Sequence, residues 1–309
     1  MISKLIDIFK RYLIYPQIER KRMIGLSHFL NMRNKYFDIK TLDEIQYKIF
    51  SQNGEDGIID FLLERLNIKK PSFIEIGVGD YTESNTRFIF ETRSLRGLII
   101  DCIPNFKNQV NKNIKTWRGE LNIEETFIST ENILEILKKY NFISTDILSI
   151  DIDGIDYWIL SKLPKNFSKI VILEYNPTFG DRLEVTIPNI KNFNRTRYHY
   201  SNLCFGMSLR AAIKLMDNKN YYFIGTNELK NNAFFISKDF SKSEFFPNLI
   251  IEDLSNSTDA SFRESRDIKG NLNYLSGKKK LQEISECEVV KLDNGDHKKI
   301  KIKELFNLV

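Results

Sequence analysis

The stretch Phe73-Ile74-Glu75-Ile76-Gly77-Val78-Gly79-Asp80 has the composition of a ligand-binding turn. An apolar run enters an acidic residue and then Gly-x-Gly. Glycine lets the backbone turn sharply and approach a ligand where a Cβ would block it. The next apolar run, Leu98-Ile99-Ile100, ends on Asp101. An acidic residue about 20 positions after such a turn stands where the two hydroxyls of a ribose are held. Asp101 also suits the cap of a helix beginning near Pro104. The phosphate-cradling pattern Gly-x-x-x-x-Gly-Lys-Ser/Thr is missing, and Thr82 stands where a dinucleotide fingerprint has its third glycine. Glu75 would repel a pyrophosphate. The turn therefore suits a nucleoside ligand that carries positive charge.

A second set of oxygen-bearing residues lies further on. Asp151 ends one apolar run, with Asp153 two residues later; Glu174 ends another, with Asn176 two residues later. Ligands of an open parallel sheet bind beyond the carboxyl ends of its strands, and neighbouring strands are about 4.8 Å apart. These four side chains are thus expected to converge. Their oxygens suit Mg²⁺ or another divalent cation such as Ca²⁺ or Mn²⁺, which would hold a sugar diol and acidify a hydroxyl. The bland alternatives are a simple turn at Asp153-Gly154 and a helix cap at Asp156. Without a metal, Asp151, Asp153 or His199 is the candidate general base. Arg195 and Arg197, beside His199, suit an anionic acceptor or a solvated loop. The polar run Phe262-Arg263-Glu264-Ser265-Arg266-Asp267 reads as a surface network or as a segment reaching back to the site.

These residues need a scaffold of alternating strands and helices. Residues 55–66 carry Ile58, Ile59, Leu62, Leu63 and Leu66 at helical spacing. Strands are predicted over 72–77, 97–101, 125–129, 147–151 and 169–174, with helices over 132–139 and 157–163 between them. That alternation indicates βαβ units, and the apolar character of the runs indicates strands covered on both faces. Residues 178–201, with Pro188, Asn189, Asn192 and Asn194, read as a loop or lid over the site. A helix over 208–216 and an antiparallel pair over 221–225 and 232–237 would close the sheet. Short strands over 271–275 and 288–292 would belong to a C-terminal appendage.

Five elements together resemble the FkbM-like methyltransferases. They are Ser51-Gln52-Asn53-Gly54-Glu55-Asp56, Glu75-x-Gly77-x-Gly79-Asp80, Asn85-Thr86, Ser149-Ile150-Asp151-Ile152-Asp153-Gly154 and Glu174-Tyr175-Asn176-Pro177. The resemblance covers roughly residues 50–240. It implies a Rossmann-like class I methyltransferase fold, an α/β architecture with a mostly parallel seven-stranded sheet flanked by helices. It implies S-adenosyl-L-methionine as cofactor, contacted by Glu75, Gly77 and Asp101, with Gly79 in the same turn and Gln52 and Asn85 nearby. It also implies O-methylation of a sugar, nucleotide sugar or surface polysaccharide. Glu75 and Asp153 replace the commoner Asp and Glu of that family, which marks a distinct subfamily.

Length and composition agree. The chain has 309 residues, 42% hydrophobic and 28% charged, ordinary for a globular protein. The expected division is a basic helical N-terminal extension (1–48), a methyltransferase domain (49–240) and a C-terminal appendage (241–309). The net charge of +5 is concentrated at the start. In residues 1–40 Lys4, Lys10, Arg11, Arg20, Lys21, Arg22, Arg33, Lys35 and Lys40 outweigh Asp7, Glu19 and Asp38. With Ile2, Leu5, Ile6, Phe9, Leu13 and Ile14 at helical spacing, this segment suits an anionic membrane surface or a helix packed on the domain. No apolar run reaches the ~20 residues of a membrane span, and no nucleic-acid motif accompanies the charge. Cys102, Cys204 and Cys287 lack metal or disulfide spacing. A cytoplasmic location, at most at the inner face of the membrane, is expected, with a small-molecule or glycan acceptor as partner. Two other functions fit parts of the pattern: a metal-dependent glycosyltransferase using Asp151-x-Asp153, and a non-catalytic methyltransferase-like module.

Overall fold

The computed structural model describes residues 23–240, 246 and 264–307, apart from 28, 30–32, 34–35, 94–95, 115–118 and 294–295. The basic amphipathic pattern of residues 1–22 and the polar pair Phe262-Arg263 lie outside the described residues.

Seven strands form one sheet: β1 (Ser72–Ile76), β2 (Arg96–Asp101), β3 (Glu120–Glu125), β4 (Thr145–Ile150), β5 (Ser168–Glu174), β7 (Tyr221–Thr226) and β8 (Asn232–Ser237). Their order is β3-β2-β1-β4-β5-β8-β7. The first five are parallel, while β8 runs antiparallel to both β5 and β7. This is the Rossmann-like class I methyltransferase fold. The strand order reverses beside β1, between β2 and β4, so the carboxyl ends of these strands border the crevice where such sheets bind ligands.

Both faces of the sheet are covered, and the period-two alternation of strand side chains sorts residues between them. Ile74, Ile76, Leu148, Ile150, Val171 and Leu173 enter one core with helices α4 (Ile133–Lys139), α5 (Asp156–Lys162) and α7 (Leu209–Asn218). Phe73, Ile147, Ile170 and Ile172 enter the other with α1 (Glu55–Arg65), α2 (Arg87–Thr92) and α3 (Phe106–Asn113). Tyr36, Ile39, Leu42, Ile45 and Tyr47 join this second core. Segment 36–47 is thus packed on the sheet rather than extending from it.

Three expectations are corrected. The third strand is Glu120–Glu125, not 125–129; it is a half-exposed edge strand, so its Glu and Asn residues mask the pattern that a buried strand shows. Residues 271–275 form no strand and contribute only the bridge Arg266–Leu272. The supposed lid is a fixed wall. Within it, β6 (Val185–Thr186) pairs with β9 (Glu288–Asp293), which continues to β10 (Asp296–Lys301) as a second, three-stranded sheet. Thr186 also bridges Met207, and the Trp158 indole N–H donates to the Ile187 carbonyl at 2.8 Å. Ile284, Cys287, Val289, Val290, Leu292 and Ile302 are buried in the same core as β4 and β5. Among the described residues no helix is long and apolar enough to cross a membrane.

Candidate active site

The glycine turn follows β1 and is fixed on both sides. The Gly77 amide donates to the Ile100 carbonyl of β2, and the Asp151 amide donates to the Ile76 carbonyl, each at 2.9 Å. Gly77 has φ +82°, and a Cβ there would lie 1.6 Å from the Asp151 carbonyl oxygen. Glycine is required at this position because the β1 turn and the end of β4 touch. Gly79 has φ +57° and open space around its missing Cβ. The Asp101 carboxylate accepts from the Val78 and Gly79 amides, both at 2.8 Å, and from the Ile103 amide at 3.1 Å. Asp101 is therefore held against the glycine turn at the edge of the crevice. The following helix starts at Phe106, so Asp101 does not cap it.

Glu75 has a different task from the expected one. Its carboxylate is buried and accepts from the Asn85 amide (2.8 Å), the Thr86 amide (3.0 Å), the Ser84 hydroxyl (3.0 Å) and the Thr86 hydroxyl. Burial pushes its pKa up, against the pull of these hydrogen bonds. Glu75 thus ties segment 84–86 to the strand end and places Asn85, whose amide nitrogen donates to the Ser149 hydroxyl at 3.1 Å. Glu75 lines the cavity, and its Oε2 accepts three of these four bonds while Oε1 accepts one.

The segment 51–56 is a second brace. Asp56 accepts from the amides of Ile49, Phe50 and Ser51 at 2.7–2.9 Å, and its own amide donates back to the Ser51 hydroxyl at 3.1 Å. Glu55, fully buried, accepts from Asn53, Asn227 and Asn232 at 2.8–2.9 Å. The helix α1 is thereby locked to the β7–β8 turn, with exposed Gln52 at the rim of the cleft.

At the other end of the cleft, carboxylate oxygens of Asp151, Asp153 and Glu174 lie within 4.8 Å of one another. Burial, then the mutual repulsion of these anions, raises the pKa of Asp151 and Glu174 well above the ordinary carboxylate range. Asp151 and Glu174 therefore hold their protons to higher pH than ordinary carboxylates do. One Glu174 oxygen is buried with no hydrogen-bond partner. Arg195, in α6 (Arg195–Tyr198), pairs with Asp153 through one terminal nitrogen and with Glu264 at 2.9 Å through the other. Asp156 does not join the cluster. Its oxygens accept from the Ile152 and Gly154 amides, both at 2.9 Å, and shape the loop that carries Asp153; its pKa is pushed up to about 6 by burial.

Two expected site residues are placed elsewhere. Asn176 donates to the Leu203 and Phe205 carbonyls at 2.8 and 2.9 Å and accepts from the Thr178 amide at 3.0 Å. Both ends of its amide are tied to backbone and it is not among the residues that line the cleft, so it stands apart from the acidic cluster. His199 bonds the Ser201 hydroxyl at 2.7 Å and stacks on Tyr200, outside the cleft lining. Nor does Arg195 await an anion, since Asp153 and Glu264 already flank it.

One cavity of about 640 Å³ joins the glycine turn to the acidic cluster, within the ~300–1,000 Å³ of small-molecule sites. Gln52, Glu75, Gly77, Gly79, Asn85, Asp101, Asp151, Asp153 and Glu174 all line it. So do Asn231, Asn232 and Glu264, of which the asparagines escaped sequence reading. The turn Thr226 to Asn232, rich in Asn between two apolar runs, was their only signal.

Comparison with solved structures finds remote likenesses. A S-adenosylmethionine-dependent methyltransferase from Clostridium acetobutylicum is similar in structure at 9% identity and TM-score 0.38, covering 59% of this chain and 90% of that one. The methyltransferase domain of bacterial CtHen1 is similar at 14% identity and TM-score 0.38, covering 59% and 95%. TrmK of M. capricolum, solved with S-adenosyl-homocysteine, is similar at 13% identity and TM-score 0.30, covering 60% and 72%. No protein-family model matches the sequence, and no curated protein is similar to it.

Proposed function

We propose that the protein is a S-adenosyl-L-methionine-dependent O-methyltransferase of FkbM-like type, acting on a hydroxyl of a sugar, nucleotide sugar or surface polysaccharide. One observation carries this reading: Asp101, pinned on the N–H groups of the glycine turn, opens into the same cavity as the Asp151–Glu174 pair. The first is a receptor for a ribose; the second is a place for a proton.

The cofactor, when bound, supplies an electrophilic methyl group on a sulfonium. The chain does the rest. The remaining lone pair of Asp101, on Oδ1, accepts from a ribose hydroxyl, and the open face at Gly79 admits the nucleoside. Methyl transfer is an in-line displacement that depends on alignment of the acceptor oxygen. Asp151 and Glu174, whose pKa values are raised by burial and by their mutual repulsion, are stronger bases than ordinary carboxylates and take the proton of the acceptor hydroxyl. The residues also fit a divalent cation: Asp151, Asp153 and Glu174 would hold it, and it would acidify that hydroxyl. Among the cavity-lining residues the cation Arg195 is flanked by carboxylates, which favours a sugar or polysaccharide hydroxyl over a nucleotide sugar among these acceptors. The glycosyltransferase reading leaves Asp101 and the glycine turn without a role. In this proposal the protein works in the cytoplasm, and residues 1–40 supply any contact with the membrane face.

Calorimetry with S-adenosyl-L-methionine and S-adenosylhomocysteine tests the donor. Binding is expected for the native chain, weakened about tenfold or more in Asp101→Ala by loss of the ribose hydrogen bond. A folded protein that binds neither compound refutes the reading. Transfer of a labelled methyl group to a panel of mono- and oligosaccharides then tests the acceptor.

A further inference from the structure

The acidic cluster carries its own cation. Asp151, Asp153 and Glu174 present three hard oxygen ligands within 4.8 Å, and one oxygen of the nearly buried Glu174 has no partner. Its cross-strand neighbour Asn232 also keeps a buried amide oxygen unpartnered. The innermost part of the cleft therefore holds acceptor atoms that the protein leaves unsatisfied, an arrangement that costs free energy unless a donor or cation arrives. Arg195 makes its ion pair with this group at Asp153 and acts on Glu174 and Asp151 through space.

Arg195 has anchors other than Asp153. Its helix is capped by Asn194, whose side chain accepts from the Arg197 amide, and is tied to β9 by the Tyr198 hydroxyl on the Glu288 carbonyl at 2.6 Å. The guanidinium lies over the Phe205 ring at 5.4 Å, and its second nitrogen holds Glu264. Both anchors persist if the Asp153 contact is broken.

We propose that Arg195 is the resident counter-cation of this site and that a divalent cation competes with it for Asp153. When the ion occupies the three carboxylates, Arg195 is repelled from Asp153 and remains on Glu264. The inference rests on the divalent-ion part of the function proposed above. It adds that the chain itself lowers the apparent affinity for the ion, because the binding-competent arrangement is only one of two populated. Glu264, reached from the C-terminal segment, is then the residue that keeps the displaced Arg195 within the cleft.

The test is titration of the metal-free full chain with Mn²⁺, followed by calorimetry, for the native protein and for Arg195→Gln, Glu174→Gln and the double variant. Removing the competitor is expected to tighten Mn²⁺ binding about tenfold, the scale of one charge-assisted hydrogen bond. Glu174→Gln is expected to weaken it, alone and in the Arg195→Gln background. S-adenosylhomocysteine affinity, measured on the same samples, is expected to stay within twofold. Mn²⁺ affinity in Arg195→Gln that is equal to or weaker than native overturns the proposal. So does binding that Glu174→Gln leaves unchanged, or no binding in any variant. Failure to bind S-adenosylhomocysteine strikes the methyltransferase reading instead and leaves the ion competition to stand on the Mn²⁺ data. If Arg195→Gln does not fold, Arg195→Met keeps the stem on Phe205 and replaces it.

Discussion

Two glycines two residues apart are expected to respond oppositely to alanine. At Gly77 the new Cβ would sit 1.6 Å from the Asp151 oxygen, where ordinary contact begins at 3.4 Å. The ends of β1 and β4 must separate by roughly the difference of these distances. That movement breaks the Asp151 amide bond to Ile76 and strains the Gly77 amide bond to Ile100, each worth ~1 kcal/mol net. The left-handed φ adds ~1–2 kcal/mol. Gly77→Ala should thus lose about 3–4 kcal/mol, a large share of the ~5–15 kcal/mol that keeps a domain folded. Gly79 has the same sign of φ and nothing within 4 Å. Its alanine variant should lose only ~1 kcal/mol, yet its methyl projects into open space beside the cleft and should weaken S-adenosylhomocysteine about tenfold. Urea unfolding monitored by circular dichroism gives the stabilities, and calorimetry gives the affinities. Equal destabilisation by the two substitutions, or a Gly77→Ala protein of native stability, would refute the argument from the Asp151 contact.

Glu75→Gln removes one of two oxygens that together accept four hydrogen bonds and turns an N–H₂ toward those donors; a loss of about 2–4 kcal/mol is expected, measured by urea unfolding, and a loss below ~0.5 kcal/mol counts against Glu75 as the brace of segment 84–86. Because the folded Asp151–Glu174 pair keeps a proton that the unfolded chain releases above about pH 4.3, the pair stabilises at low pH, and its contribution declines with rising pH until its raised folded pKa is passed. Unfolding in chelator at pH 5, 6, 7 and 8 should show native stability falling more steeply than that of Glu174→Gln, by up to ~1.4 kcal/mol per pH unit below the raised folded pKa; identical slopes contradict the raised pKa of the pair. His199→Ala should leave S-adenosylhomocysteine affinity and the pH profile of methyl transfer unchanged, since His199 stands outside the cleft lining; a hundredfold loss of rate would reinstate it as a base.

The parts of this molecule that were legible in the sequence are those where one local pattern has one physical outcome. Ile74 and Ile76, Leu148 and Ile150, and Val171 and Leu173 announce buried strands, and an acidic residue before Gly-x-Gly at a strand end announces the crevice. The destination of a polar side chain was not legible. Glu75 and Asn176 have the residue types and positions of ligand-binding groups, but their partners are Ser84–Thr86 and the carbonyls of Leu203 and Phe205. A carboxylate or amide that serves the protein reads the same as one that serves a ligand until the partners are placed. The acidic trio was legible because strand spacing alone brings Asp151 and Glu174 together. Its cation was misread, since Arg195 meets Glu264 across 69 residues. β6 was hidden because a two-residue strand has no period.

The pairing of Val185 and Thr186 with Lys291 and Val290 sets an order of events as the chain is made. The glycine turn and Asp101 depend on neighbours within residues 72–151 and can form once these have emerged. The opposite wall keeps an unpaired strand edge until β9 has been synthesised about a hundred residues later. In that interval Val185 and Ile187, buried in the finished core, face water beside free N–H and C=O groups, the arrangement most prone to pair with another copy. Slow synthesis or an early stop before β9 therefore yields a chain with its glycine turn formed and its opposite wall adhesive, and aggregation is the failure this topology invites.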